Sequence, residues 1–198
     1  MKNEITGMRL RLIVMNFLQF AVWGAYLTSM GTYLFNIGLG AKIGLFYAMQ
    51  GIVSLFMPAI MGIIADRWVP AQKLYGFCHF MAAVFMVAAG WYGYVDGEAV
   101  NFGTLFTFYS LSVAFYMPTL ALTNSVAYTA LDKVKLDPVI AFPPIRIFGT
   151  IGFICSMLLT DILGFQNNYM QFFSCACFGV ILAVFLVFFF FFFFGGGG

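Results

Sequence analysis

Six stretches of this chain are each long and apolar enough to cross a lipid bilayer, and that repetition constrains the fold more than any other feature. They cover residues 10–34, 43–65, 74–94, 102–128, 142–163 and 172–194, against the ~20 residues a helix needs to span the hydrocarbon. The breaks between them are short and polar: NIGLGAK, DRWVPAQK, VDGEAV, LDKVKLDPV and DILGFQNN. The apolar runs are continuous rather than alternating, which excludes a strand barrel. Charged residues make up only 8% of the chain, where a soluble domain carries about 25%, so no water-facing shell can be built from it. The expected fold class is an all-α membrane protein with six transmembrane helices.

Positive charge orients such a bundle. Lys2, Arg9, Arg11, Arg67, Lys73, Lys133, Lys135 and Arg146 fall on one side and Lys42 alone on the other, so both termini are expected in the cytoplasm. Residues 1–9 then form a cytoplasmic N-terminus and residues 10–187 the bundle. The first apolar stretch is too long for a cleaved signal peptide, whose apolar region runs to roughly 15 residues. Residues 188–198 are seven phenylalanines followed by four glycines. No packing rule asks for that tail; it reads as a homopolymer artefact or a frame error outside the functional sequence, the alternative being a true low-complexity end to the sixth span.

The net charge of +2 is too small and too dispersed for a nucleic-acid partner. Cys78, Cys155, Cys175 and Cys177 lie in apolar stretches with neither metal spacing nor a disulfide framework, and no cofactor is implied. His79 stands alone in the third span, where it reads as a packed or hydrogen-bonded helix residue. No nucleophile–base pair and no phosphate-cradling loop points to an enzyme.

Polar residues inside spans face protein or a water-filled cavity, so their periodicity is informative. At 3.6 residues per turn, Asn16, Gln19, Trp23 and Tyr26 share a face of the first span. Gln50, Ser54, Met57 and Met61 share one on the second, and Ser112, Tyr116, Thr119 and Thr123 one on the fourth. Each stripe has a plain alternative, since Ser and Thr bond back to their own helix and Met or aromatic stripes pack. Together they suggest an aqueous path lined by Asn16, Gln19, Trp23, Tyr26, Gln50, Tyr116 and Thr119. Pro58 and Pro118 interrupt the second and fourth spans, as bends for motion or as static kinks.

On the fifth span Arg146, Thr150 and Phe153 sit at i, i+4 and i+7. Gly149, Gly152 and Ser156 form a separate small face suited to close helix contact. Arg146 has two readings. It snorkels to the interface, or it offers its fork of donors to an oxygen-rich ligand in a wet cavity. With Thr150 as a hydroxyl and Phe153 as a ring face, the second reading suits a ligand with both a ring and oxygens. Sugars satisfy the same stripe chemistry.

Four segments, FLQFAVWGAYLTSMGTYLF, FMPAIMGIIADRW, YMPTLALTNSVAY and FPPIRIFGTIGFI, closely resemble the nucleoside:proton symporter family of the major facilitator superfamily. The resemblance runs from about Arg9 to Val187. GIIADRWVPAQK also resembles the superfamily's cytoplasmic loop motif, Gly-x-x-x-Asp-Arg with a later basic residue, without its second glycine and paired basics. It implies that Gly62, Asp66, Arg67 and Lys73 help latch the inward-closed state. The family implies twelve helices in two six-helix halves, each built from two inverted three-helix repeats, and a bacterial inner-membrane location. This chain would be the N-terminal half. The resemblance further implies nucleoside contacts at Arg146, Thr150 and Phe153, with Phe148 beside the site where some relatives carry tryptophan. No Asp or Glu lies deep in any span, so the proton-coupling carboxylates are expected in a C-terminal half, and the chain as it stands is not expected to transport alone. The alternatives are a half-length protein working by dimerisation or with a partner, and a facilitator for another polar solute such as a sugar.

Overall fold

The structure, a computed structural model, describes residues 2–194. Of the segment 188–198 set aside above, residues 195–198 lie outside the described residues. Eight α-helices follow in order among the described residues: α1 Lys2–Gly24, α2 Met30–Asn36, α3 Ile43–Arg67, α4 Ala71–Asp96, α5 Phe102–Tyr116, α6 Thr119–Lys133, α7 Pro138–Ile162 and α8 Met170–Phe194. They make six segments long and apolar enough to span a membrane.

Two spans are broken, and the breaks have different causes. The first was expected as one run over 10–34. Instead α1 begins at Lys2, stops at Gly24, and the path resumes as α2. Hydropathy marks depth in lipid and not helicity, so the charged opening residues extend the helix beyond the apolar run. At the break, hydroxyls join the backbone bonds: Tyr47 Oη donates to the Leu27 carbonyl at 2.7 Å, and Ser29 Oγ donates at 3.3 Å to the Tyr26 carbonyl, which also accepts from the Met30 amide at 2.9 Å. In the fourth span Pro118 lacks an N–H, and Thr119 Oγ1 caps the Tyr116 carbonyl at 2.5 Å, which separates α5 from α6. Pro58 does not interrupt its span. It stays inside a continuous α3, as Pro143 and Pro144 do in α7. One proline deletes one backbone bond, and the helix closes around it where nothing competes for the freed carbonyl.

The helix ends follow local chemistry. Asp137 and Asn101 cap α7 and α5 by accepting from the amides of Val139 and Gly103, with Pro138 at the first position of α7. Gly164 takes φ +70° in the turn after α7, a conformation that glycine adopts at no steric cost.

The packing has internal two-fold character. The first span packs on the fifth, the second on the fourth, the third on the sixth, the third on the fourth and the first on the sixth. Exchanging spans one to three with spans four to six maps these contacts onto themselves. Three is an odd number of crossings, so the two triplets run in opposite senses, which makes an inverted repeat. The leading span of each triplet is the broken one. The small face of α7 is turned to α1: a Cβ at Gly152 would run into the Phe17 carbonyl oxygen, and one at Gly24 into the Phe153 carbonyl. These helices touch backbone to backbone.

Two apolar clusters fill the bundle. One gathers Met8, Leu12, Met15, Leu74, Val126 and Phe142 near the N-terminal end, and the other Val22, Tyr26, Phe46, Ala82, Tyr109 and Phe172. Between them lies a polar layer, because Gln19, His79 and Thr119 each fall in sequence between a residue of one cluster and a residue of the other.

Candidate functional site

The polar layer is organised around one carboxamide. Gln19, fully buried on α1, donates from Nε2 to Thr119 Oγ1 at 2.8 Å. Its Oε1 accepts from Tyr75 Oη at 2.6 Å and from His79 Nε2 at 2.7 Å. A carboxamide oxygen only accepts, so His79 Nε2 carries the proton. Tyr116 Oη donates to the main-chain carbonyl of Gln19 at 2.8 Å. Thr123 Oγ1 extends the chain, 2.7 Å from Tyr75 Oη and 2.8 Å from the Thr119 carbonyl. Four buried side chains from the third and fourth spans thus tie α1 in place. Buried groups satisfied in this way rigidify and specify a core.

The stripes foreseen as lining an aqueous path therefore divide. Gln19, Tyr116 and Thr119 spend their polar atoms inside the bundle. Asn16 is fully buried and donates to the Leu12 carbonyl of its own helix at 2.9 Å. Tyr26 is buried edge-to-face against Tyr109. Ser112 donates to the Ala82 carbonyl, and Ser54 bonds back to Gly51 on the exposed side of α3. Sequence periodicity reports which residues share a face. It does not report whether that face meets water or another helix.

A second group stands at an open face. Arg146 is half-buried, and its guanidinium lies 3.9 Å above the centre of the Phe20 ring. Among the described residues no side chain accepts a hydrogen bond from it and no carboxylate pairs with it. A guanidinium above a ring face gains a cation–π contact without spending its N–H donors, which stay available to an acceptor. Gly149 makes the stacking possible, since a Cβ there would lie 2.6 Å from Phe20 Cδ2 and 2.7 Å from Arg146 Nη1. Phe153, half-buried, meets Trp23 edge-on at 6.2 Å, and Trp23 lies 6.2 Å from Tyr116. Trp23 Nε1 donates to Gln50 Oε1 at 3.0 Å, and Gln50 Nε2 to Tyr109 Oη at 2.7 Å. Thr150 is exposed one turn above Arg146. The result is one cation, one free hydroxyl and an aromatic wall of Phe20, Trp23 and Phe153, held by α1 and α7.

Phe20 and Tyr75 were not among the sequence candidates. Nothing in a phenylalanine marks it as a support for a distant arginine, although Gly149, three residues from Arg146, hints that something packs tightly there. Phe148 was expected beside the site. It lies about 200° around the helix from Arg146. It lines a groove of about 620 Å³ with Arg9, Ile13, Ile140 and Pro144, which Arg146, Thr150 and Phe153 do not border. The loop-motif residues sit where α3 gives way to α4: Gly62, Asp66 and Arg67 in the last turns of α3, and Lys73 in the first turn of α4. A Cβ on Gly62 would meet nothing within 4 Å, so no contact in this chain requires glycine there.

A family model described as Nucleoside H+ symporter matches residues 6–191. The chain is 38% identical over 182 residues to nucleoside permease NupG of Escherichia coli K12, covering 90% of this chain and 42% of that protein. It is 38% identical over 178 residues to xanthosine permease of the same organism, covering 89% and 41%. It superposes on a crystal structure of nucleoside transporter NupG with a TM-score of 0.83 at 37% identity, covering 91% of this chain and 43% of that one. The match is to the N-terminal half of that major facilitator structure. The chain thus spans about two fifths of the length of the relatives it matches.

Proposed function

The chain belongs to the nucleoside H+ symporter family, and from that membership we propose that it forms the N-terminal six-helix half of a nucleoside:proton symporter working by alternating access. The open face of α1 and α7 is one wall of the nucleoside site. The observation that carries this is the guanidinium of Arg146, set over the Phe20 ring and without an acceptor among the described residues. Its N–H fork binds the oxygens of a nucleoside, Thr150 adds a hydroxyl, and the rings of Phe153 and Trp23 take the base. Gln50, through Trp23, sets the tilt of that wall. Asn16, Gln19, Tyr26, Tyr116 and Thr119 support it from inside.

Only 11% of the residues in the most apolar window of the span Gly40–Arg67 are buried, which leaves this span a face for lipid or for the rest of a longer chain. The proton is carried on that other half, because the wall described here holds a cation and no carboxylate. Asp161, at the outer end of α7, is engaged by Gln166 at 3.0 Å. The excess of Lys and Arg on one side supports an orientation with the start of α1 on the cytoplasmic side, and the family resemblance supports a bacterial inner membrane. In that orientation Gly62, Asp66, Arg67 and Lys73 form the cytoplasmic latch between spans two and three.

The test is uridine uptake by the complete transporter carrying Arg146→Ala. Uptake is expected to vanish while the membrane level of the protein stays normal. Arg146→Lys, which keeps the charge but loses the planar fork, is expected to rescue little. Wild-type uptake by Arg146→Ala refutes the assignment. Competition by sugars with no effect of nucleosides turns the same wall over to a different solute.

A further inference from the structure

Among the described residues, two buried polar atoms without a hydrogen-bond partner belong to residues that line the same small cavity. One is His79 Nδ1 and the other is Tyr26 Oη, on residues 0% and 1% exposed. His79 Nε2 is committed as a donor to Gln19, so Nδ1 is an unprotonated acceptor. Tyr26 Oη needs an acceptor for its proton. Neither reaches the other within hydrogen-bond distance. The cavity between them measures about 10 Å³, and Ser112 also lines it. The Ser112 hydroxyl gives its proton to the Ala82 carbonyl at 2.8 Å, which leaves its lone pairs available. A single water needs on the order of 10–15 Å³ and two to four polar partners. Left empty, the cavity would leave both groups with the full cost of burial without a hydrogen bond.

We propose that this cavity is a built site for one internal water, which donates to His79 Nδ1 and accepts from Tyr26 Oη, with Ser112 Oγ taking its second proton. The water completes an unbroken chain: Tyr26, water, His79, the Gln19 carboxamide, Thr119. Tyr26 lies in the break of the first span, and Gln19 is the centre of the polar layer. The water therefore joins the bend of that span to the carboxamide that fixes its lower part. It also sets the ring's tautomer, because a donor at Nδ1 keeps the histidine's proton on Nε2. His79 and Tyr26 act as positioning residues for Gln19, and this holds whether or not the chain belongs to a nucleoside transporter.

In the complete transporter in lipid bilayers, histidine-selective nitrogen-15 spectra report on this ring once its signals are assigned by their loss in His79→Gln. The expected result is a protonated Nε2, and an unprotonated Nδ1 whose resonance is displaced to the hydrogen-bonded acceptor position. Tyr26→Phe, which removes only a hydroxyl, shifts the Nδ1 resonance toward the unbonded position. Tyr33→Phe removes another buried, unpartnered hydroxyl outside this cavity and leaves the resonance unchanged. Magnetisation transfer from a trapped water to the ring is expected in the unaltered protein, and that measurement stands even if a variant fails to fold. A protonated Nδ1, an Nδ1 at the unbonded position, or absent water transfer each overturns the proposal.

Discussion

Replace Gly149 by alanine, and the added Cβ lands 2.6 Å from Cδ2 of Phe20 and 2.7 Å from Nη1 of Arg146. Something must yield, and both neighbours are ends of side chains rather than backbone. The helix gains about 1 kcal/mol from replacing glycine. Against this stand ~1–3 kcal/mol for overpacking and the loss of part of a cation–π contact worth ~0.5–2 kcal/mol. The fold should therefore survive, destabilised by about 0–4 kcal/mol. The guanidinium should not stay where it is. If its seat on Phe20 sets its aim at the nucleoside, the same ~0.5–2 kcal/mol appears as an affinity loss of roughly 2- to 30-fold, at 1.4 kcal/mol per decade. Gly152→Ala is the contrast. Its Cβ meets the Phe17 main chain, which cannot step aside, so it forces α1 and α7 apart and strikes stability first. The assay is nucleoside titration of the purified, complete transporter, with thermal unfolding of the same samples. Gly149→Ala with a lowered melting temperature but an affinity within twofold of the parent would falsify the reasoning. Gly149 would then serve helix packing only, and Phe20 would not position Arg146.

Two further expectations concern the interior. Gln19→Leu strands the donors of Tyr75 and His79, at ~1–3 kcal/mol apiece, whereas Tyr75→Phe removes one donor and leaves Gln19 Oε1 its bond to His79, a loss of ~0.5–1.5 kcal/mol. Thermal unfolding in detergent should rank Gln19→Leu well below Tyr75→Phe, and equal shifts would contradict the network. Tyr47→Phe removes the donor to the Leu27 carbonyl at the break in the first span. Amide exchange over residues 25–30 should then accelerate while α4 and α8 keep their protection, and unchanged exchange there would mean that the hydroxyl does not hold the bend.

The number and order of the spans were legible, though not the bounds of the first, because lipid imposes a length of apolar sequence that little else imposes. The small face of α7 was legible for a related reason: Gly149, Gly152 and Ser156 recur at helical spacing, and close backbone approach needs small residues. The break at Pro118 was marked by its proline. The break after Gly24 was not, because no proline marks it and the hydroxyl that takes up the Leu27 carbonyl, on Tyr47, comes from another span. The stripe of Arg146, Thr150 and Phe153 was visible by period. Its support was not, since Phe20 is the residue type that lipid-facing positions use. His79 looked solitary because its partner, Gln19, is 60 residues away in sequence. Long-range pairing, and not local propensity, separates what was read from what was missed.

The polar layer also has a consequence for how the chain is made. Synthesis delivers the N-terminus first. The first span is the least apolar of the six, with mean hydropathy 1.3 in its best window, and it carries Gln19 into the bilayer alone. Tyr75 and His79 arrive 56 and 60 residues later, and Thr119 a full 100 later. Gly152, which seats α7 on Phe17, follows them all. Until the third span emerges, the carboxamide of Gln19 has no side chain to bond. The first span must therefore be sheltered by the insertion machinery or sit beside water, and the bundle closes from its later spans back onto its first.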